Sequence, residues 1–347
     1  MIDFNSAEPW IRNIEVVLGP LGELDQSSGP PSPFNSKRIF SDGSPTGLRV
    51  NFSVKKHIVS TSCPTSINLY NLSENTRQSI KSNLTYVALN VGYANITGMR
   101  NIFSGSVLSC FSNREGSDIV TSLSCLQHYG GLTQMCKVEM FPDTSGWAKS
   151  GQITVGDHKI TLQIAPDKGT SLWAVVKSMA SSIPGVICND TLIKVPDKYF
   201  TGKGFKFQGL ICDCLNKLAR GYGFSWFIDN GIFYALTDGE SFDAKPVIIS
   251  ADNGYLIRAE PMFYGPAQGQ VGVSITSVLN PLIDVKPGAR VQLKSSINPR
   301  LNNANNLNNV DDTRGLGYIV TDLTHSGDSH SSQWQSHMEC RFMGVRK

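Results

Sequence analysis

Hydrophobic and polar positions alternate along much of this chain. Leu48, Val50, Phe52 and Val54 are separated by polar residues, the period of two expected of a half-buried strand. Similar patterning predicts strands at residues 11–18, 67–70, 85–91, 101–110 and 119–125. Between the second and third of these, Ser73 and Glu74 predict the start of a short helix. Ser73 can accept from the first free N–H groups, and Glu74 sits at the positive end of the helix. Leu72, Thr76 and Ile80 then fall one turn apart. Residues 25–47 are rich in Ser, Pro and Gly and read as an extended loop. Residues 128–149 carry turn signals and little periodicity. A hairpin is expected at 151–164, turning at Gly156-Asp157.

The pattern changes in the middle of the chain. Leu172, Val175, Val176 and Met179 have helical spacing behind a cap at Thr170 or Ser171, and the helix ends before Pro184-Gly185. A second helix is predicted over 208–220, with Leu210, Ile211, Cys214, Leu215 and Leu218 on its apolar face and Gly221 as its cap. A hairpin follows, 224–228 and 232–236 around Asp229-Asn230-Gly231. Strands return at 270–278, 290–293, 317–324 and 333–342, with turns at Asn280-Pro281 and Lys286-Pro287-Gly288. Leu301 to Asp312 holds six asparagines and two aspartates and is expected to be a mobile loop.

Composition narrows the function classes. The 347 residues are 40% hydrophobic and 17% charged, ordinary for a globular protein and enough for roughly two or three domains. Many short strands and frequent Gly, Ser, Asn and Thr favour β-rich architecture. The net charge of +3 is not concentrated in any basic run, so nucleic-acid sequence recognition is not expected. No apolar run reaches the ~18 residues of a membrane span, so no stable membrane anchor is expected. Met1-Ile2-Asp3-Phe4-Asn5 lacks the basic and apolar regions of a signal peptide. The eight cysteines are therefore read as free thiols, and the Asn-x-Ser/Thr sites at Asn51, Asn71, Asn83, Asn95 and Asn189 carry no information.

Candidate chemistry is sparse. Cys212 and Cys214 suggest a metal pair, but on a helix residues two apart point ~200° away from each other. Cys214 is then a core residue and Cys212 a bystander. His325, Asp328, His330 and His337 form the other candidate. On a tight loop, His325, Asp328 and His330 could reach one divalent ion. The simpler reading is a polar hairpin turn, Ser326-Gly327-Asp328. Asp311-Asp312 is a solvated pair in the Asn-rich loop. Trp226, Phe227 and Tyr234 could form a sugar platform, but aromatics on a hairpin more simply pack into a core. No Gly-x-Ser-x-Gly elbow, His-Glu-x-x-His or phosphate-cradling loop occurs. No catalytic, cofactor-binding or metal-binding residue is therefore assigned, no cofactor is expected, and the chain is not expected to be an enzyme.

One resemblance draws these elements together. The run Ile67-Asn68-Leu69-Tyr70-Asn71-Leu72-Ser73-Glu74-Asn75-Thr76-Arg77 stands between Leu48-Arg49-Val50-Asn51-Phe52 and Gly92-Tyr93, Ile102-Phe103-Ser104-Gly105. Ser112-Asn113-Arg114-Glu115-Gly116-Ser117-Asp118 follows as a turn. Further on come an "F-x-G" before the helix "L-x-x-L-A-x-x-x-G" at 207–223, Leu279-Asn280-Pro281 with Lys286-Pro287-Gly288, and Tyr318 to Asp328 ending with Trp334. In this order the motifs resemble the baseplate hub proteins of contractile-tailed bacteriophages, which are related to the N-terminal part of type VI secretion spike proteins.

That resemblance implies a mainly β chain of two tail-tube-like β-barrels plus an inserted α/β module. It places the first barrel in residues 1–150, the second in 151–169 and 251–347, and the module in 170–250. The implied function is structural. A homotrimer would join the hexameric tail tube protein to the trimeric central spike protein and touch baseplate wedge proteins. Its location would be the virion tail baseplate, after assembly in the host cytoplasm. The hub pattern takes up the whole chain, so any cell-wall cleavage would fall to a partner. The alternatives are a tail-associated cell-wall hydrolase using His325, Asp328 and His330, and a carbohydrate-binding tail protein using Trp226.

Overall fold

The computed structural model describes residues 11–19, 37–44, 46–59, 63–83, 86–93, 98–127, 134–142, 148–156, 158–162, 170–200, 205–242, 245–251, 254–263, 270–280, 285–294 and 317–342. The chain is mainly β and divides into two compact units. One is built from residues 1–57, 62–127 and 243–345, and the other chiefly from 128–242.

In the first unit, β1 (Arg12–Gly19), β2 (Lys37–Ser41), β3 (Val50–His57) and β4 (Thr65–Tyr70) precede helix α1 (Glu74–Asn83). Then come β5 (Tyr86–Tyr93), the long β6 (Gly98–Glu115) and β7 (Asp118–Leu126). Its C-terminal part supplies β17 (Val247–Ser250), β18 (Leu256–Phe263), β19 (Gln270–Val278), β20 (Arg290–Lys294), β21 (Tyr318–Asp328) and β22 (Trp334–Phe342). These thirteen strands form one sheet, with the path β18-β19-β22-β21-β3-β4-β7-β6-β5-β1-β2 and the branch β21-β20-β17. The pairs are antiparallel except β17 with β20.

This sheet serves two separate cores. Strands β1–β7 and α1 bury Ile14, Val16, Phe52, Ile67, Leu69, Leu72, Ile80 and Leu89 together. Strands β17–β22 bury Ile249, Ala259, Ile275, Val291, Tyr318, Val320 and Met338 together. In each group the two end strands are neighbours in sequence, β2 with β3 and β17 with β18. Each pair of ends borders one core. Each group therefore curls around its own apolar centre. Among the described residues no ladder joins β2 to β3 or β17 to β18. The β3–β21 pairing, from Asn51 opposite Asp328 to His57 opposite Asp322, holds the two wraps together.

Alternation explains the faces. Val50, Phe52 and Val54 are buried while Asn51, Ser53 and Lys55 face outward. Helix α1 begins where the sequence predicts, with Ser73 Oγ accepting from the N–H of Thr76 at 3.3 Å. Two expectations need correction. Residues 25–47 were expected to be loop throughout, yet they contain β2, whose Ile39 and Ser41 face inward. The turn expected at Ser326-Gly327-Asp328 is strand. There β21 stays paired with β3 as far as Asp328, because Gly327 and Asp328 keep their partners Phe52 and Asn51.

The second unit joins β8 (Met135–Pro142), β9 (Ala148–Val155), β10 (His158–Leu162) and β14 (Phe205–Leu210) in the order β10-β9-β8-β14. A second sheet runs β12 (Ile187–Lys194), β16 (Ile232–Thr237), β15 (Phe224–Asp229), with β12 parallel to β16. Strands β11 (Thr170–Ser171) and β13 (Tyr199–Phe200) form a short pair. Helices α2 (Leu172–Ser181) and α3 (Ile211–Tyr222) share one core with both larger sheets. The boundary expected at residue 150 falls inside β9, and β8 arises where only turns were expected.

Helix α2 is capped as predicted, Ser171 Oγ accepting from Ala174 N–H at 3.1 Å, and it buries Leu172, Val175, Val176 and Met179. Each such side chain removed from water contributes about 1.5–3 kcal/mol. Helix α3 starts later than predicted, because Gln208 to Leu210 pair with β8 as strand. Its cap is Gly223, not Gly221. Gly223 adopts φ 74°, a left-handed conformation that glycine takes without a steric penalty.

Candidate functional site

The residues that the sequence offered for chemistry lie in three places. Asp328 ends β21 and accepts from Arg49, with Nη2 at 2.7 Å and Nε at 3.2 Å. The Arg49 guanidinium lies 4.6 Å from the Tyr70 ring centre. Asp328 also accepts from the backbone N–H of His330 at 2.9 Å. Burial pushes the Asp328 carboxyl up, but Arg49 and the His330 N–H outweigh it and hold it below the usual carboxylate value. The adjoining turn is stitched to β3: Ser329 N–H donates to Val50 O at 2.9 Å, and Ser329 Oγ accepts from Val50 N–H at 3.0 Å. Arg12 donates to Ser331 O and lies over the Trp334 ring, which packs edge-on against Phe52.

His325 lies three residues before Asp328 in the same strand, so the two side chains leave opposite faces. His325 is buried, and its Nδ1 is 2.8 Å from Ser336 Oγ. Burial, aided by nearby Lys56, pushes its pKa down to about 3, so the ring is neutral. His337 meets Thr276 Oγ1 at 3.2 Å. The ion cluster that the sequence allowed for His325, Asp328 and His330 does not converge. Among the described residues no group of three or more His, Cys, Asp or Glu could hold a metal ion.

All eight cysteines are free thiols. Cys214 is buried against Cys136, and hydrogen bonding to Cys136, then burial, pushes its thiol up. Cys212 sits at the margin of the same core, with its own pKa raised chiefly by burial. The sugar-platform reading of the aromatics is overturned by burial. Trp226 is 1% exposed, donates Nε1–H to Asn216 Oδ1 at 3.0 Å and stacks on Phe233. Phe227 and Tyr234 are buried and stack with ring centres 4.9 Å apart. Asp311-Asp312 and the Leu301–Asp312 run lie outside the described residues.

What remains is surface. The outward face of the large sheet is polar and small: Ser53, Ser66 and Ser124 stand opposite one another on β3, β4 and β7. Across β2, β1, β5 and β6 a polar chain runs from Arg38 through Glu15, Asn90 and Asn101 to Ser104. The sheet edges differ. Edge β2 carries Lys37 and Arg38, and edge β18 carries Arg258, Glu260 and Pro261, residues that discourage chance pairing.

Strand β6 is different. It pairs with β5 as far as Ser106 and with β7 from Ser106 onward. Gly105 marks the crossover, where a Cβ would collide with the Leu126 carbonyl. Past Ser106 the strand pairing of β6 among the described residues is with β7. Residues 107–113 carry no charge and no proline, and Leu108 and Phe111 are exposed. No signal in the sequence marked this crossover, because the alternation that identifies a strand does not say which side is paired.

No protein-family model matches the chain, and no curated protein does. Solved structures do match. A tail protein from Neisseria meningitidis MC58 is similar with a TM-score of 0.52 at 10% identity, over 94% of this chain and 96% of that one. The 43 kDa tail protein of prophage MuSo2 from Shewanella oneidensis gives 0.51 at 11% identity, over 94% and 96%. A chain of the half-lidded Francisella PdpA-VgrG complex gives 0.50 at 8% identity, over 97% of this chain and 59% of that chain. At these identities the likeness is one of fold: the chain has the fold of phage tail proteins.

Proposed function

We propose that this chain is a structural protein of a phage tail baseplate, a homotrimeric hub that joins the hexameric tail tube to the trimeric central spike. The observation that carries this reading is the fold likeness to two phage tail proteins across 94% of the chain. The two wrapped cores of the first unit support it. In this reading each wrap is a tail-tube-like barrel, and the second unit is the α/β module inserted between them. Three copies then offer six similar bodies to a six-fold tube and a three-fold frame to a spike.

The role needs no catalysis from the chain itself. It places the protein in the virion of a contractile-tailed phage, assembled in the host cytoplasm and touching wedge proteins at its rim. The test is to co-express the chain with the tube and spike proteins of the same phage and weigh the assembly by native mass spectrometry. Three copies per tube ring are expected. A chain that stays monomeric beside both partners overturns the reading.

A further inference from the structure

We infer that Cys136 and Cys214 are a disulfide-forming pair, a covalent tie between β8 and α3 that a low-molecular-weight disulfide closes and a thiol reductant opens. The inference rests on the second unit alone and stands apart from the hub reading. Its starting point is how the fold brings these two thiols together, although they are 78 positions apart. Both are buried, in the core that α3 shares with the two larger sheets. Thiols buried singly serve as small apolar residues. These two are hydrogen-bonded to each other, which is also the arrangement from which two sulfurs can join.

The backbone holds both partners in place. Strand β8 is paired on both sides, with Cys136 opposite Val155 of β9 and Gly209 of β14. Gly209 brings no side chain to that position. Two residues later α3 begins, and its first N–H, from Ile211, donates to Gln134 O at 3.0 Å. The start of the helix is thus fastened beside Cys136. Cys214 lies in the first turn of α3, on the buried face with Ile211, Leu215 and Leu218. Cys212 leaves the helix about 200° away from Cys214, so it does not take the same place. Among the described residues no third His, Cys, Asp or Glu completes a metal site with them.

The exchange balances. The Cys214 S–H donates to Cys136, and this bond holds the Cys136 thiol below its ordinary value while that of Cys214 rises. The positive end of α3 favours a thiolate beside it. Cys136 is therefore the attacking sulfur. Local opening of the first turn of α3 admits the oxidant. Cys136 releases its proton to water and attacks one sulfur of the disulfide RSSR. That S–S bond breaks, and RS⁻ leaves with its electron pair and takes up a proton. Cys214 then loses its proton and attacks Cys136 Sγ, and the second RS⁻ leaves. Cys136 and Cys214 together give up two protons and two electrons, and RSSR becomes two RSH. The closed bond ties the sheet β10-β9-β8-β14 to α3 and restrains the unfolded chain between them.

The test uses the full folded chain, purified reduced and then held with oxidised glutathione without denaturant. Free thiols are blocked with iodoacetamide, and the unreduced peptides are mapped by mass. The expected product links Cys136 to Cys214, is lighter by two hydrogens and is reopened by dithiothreitol. The oxidised chain should unfold about 5–15 °C above the reduced one. Cys214→Ala treated alike should show neither the link nor the gain. A map in which Cys136 carries the blocking group or glutathione, or is joined to Cys212, overturns the pair. A link that leaves the unfolding temperature unchanged overturns the tie. The map is read on wild type, so it decides the matter even where Cys214→Ala folds poorly. Each of these failures leaves the hub reading standing.

Discussion

Arg49 and Asp328 are 279 positions apart and form a two-point ion pair, Nη2 to Oδ2 at 2.7 Å. The Asp328 side chain is 3% exposed and the Arg49 side chain 38%. The acid is thus sealed while the base still touches water. The pair fastens the approach to β3 to the end of β21.

Arg49→Met should leave a buried carboxylate short of its main partner. The expected loss is about 2 kcal/mol, below the full cost of breaking a buried pair because Arg49 is partly solvated. Urea unfolding followed by tryptophan fluorescence would measure it. The folded Asp328 carboxyl titrates below its unfolded value. Its contribution is therefore fully present at neutral pH. It fades as pH falls through the ordinary carboxylate value toward the lower folded one.

His325 gives a second and earlier pH dependence. Its folded pKa is about 3 against the ordinary histidine value of 6.5, so the unfolded chain binds more protons between these limits. Stability is complete above 6.5 and declines as pH falls below it. At about 1.4 kcal/mol per unit, the loss by pH 4 is on the order of 3 kcal/mol. His325→Gln should flatten the stability profile between pH 6.5 and 4. A slope that survives the substitution would place the titrating group elsewhere.

Gly327→Ala tests the packing between β3 and β22. A Cβ there would stand 2.5 Å from Phe52 Cζ and 2.8 Å from Trp334 Cε3. Both rings are held by neighbours, so relief is incomplete. A destabilisation of about 2 kcal/mol is expected, read as a lower urea midpoint with little change in slope.

Trp226→Ala removes a fully buried indole and its bond to Asn216. It should cost about 3–5 kcal/mol. Under the carbohydrate reading the same variant would keep its stability and lose glycan binding. Calorimetric unfolding beside a glycan array separates the two outcomes.

The fold was legible where burial has a simple period. The strands at Phe52, Leu69, Leu89 and Ile275 follow from alternation, and α2 follows from Leu172, Val175, Val176 and Met179. The 224–236 hairpin follows from Asn230-Gly231, whose φ angles of 48° and 83° are those of a two-residue turn. Strand β12 was missed because its exposed run Asn189-Asp190-Thr191 buries little. Strand β18 was missed because Pro261 reads as a break, which at a sheet edge it need not be. The fate of His325 was not legible either. Spacing placed it near Asp328, but the extension of β21 past Thr324 sent the two to opposite faces.

Strand β21 has a mechanical consequence. Its first residues, Tyr318 and Val320, belong to one core, while Gly327 packs on Phe52 and Trp334 of the other. It acts as a splice between two bodies. Seven residue pairs link it to β3 side by side. Tension along the strands loads these bonds in shear, so they must fail together. Tension across the strands would open them one at a time from Asp328. The joint is thus stiff in one direction and weak in the other, and the Arg49–Asp328 clasp sits at the end where peeling would begin.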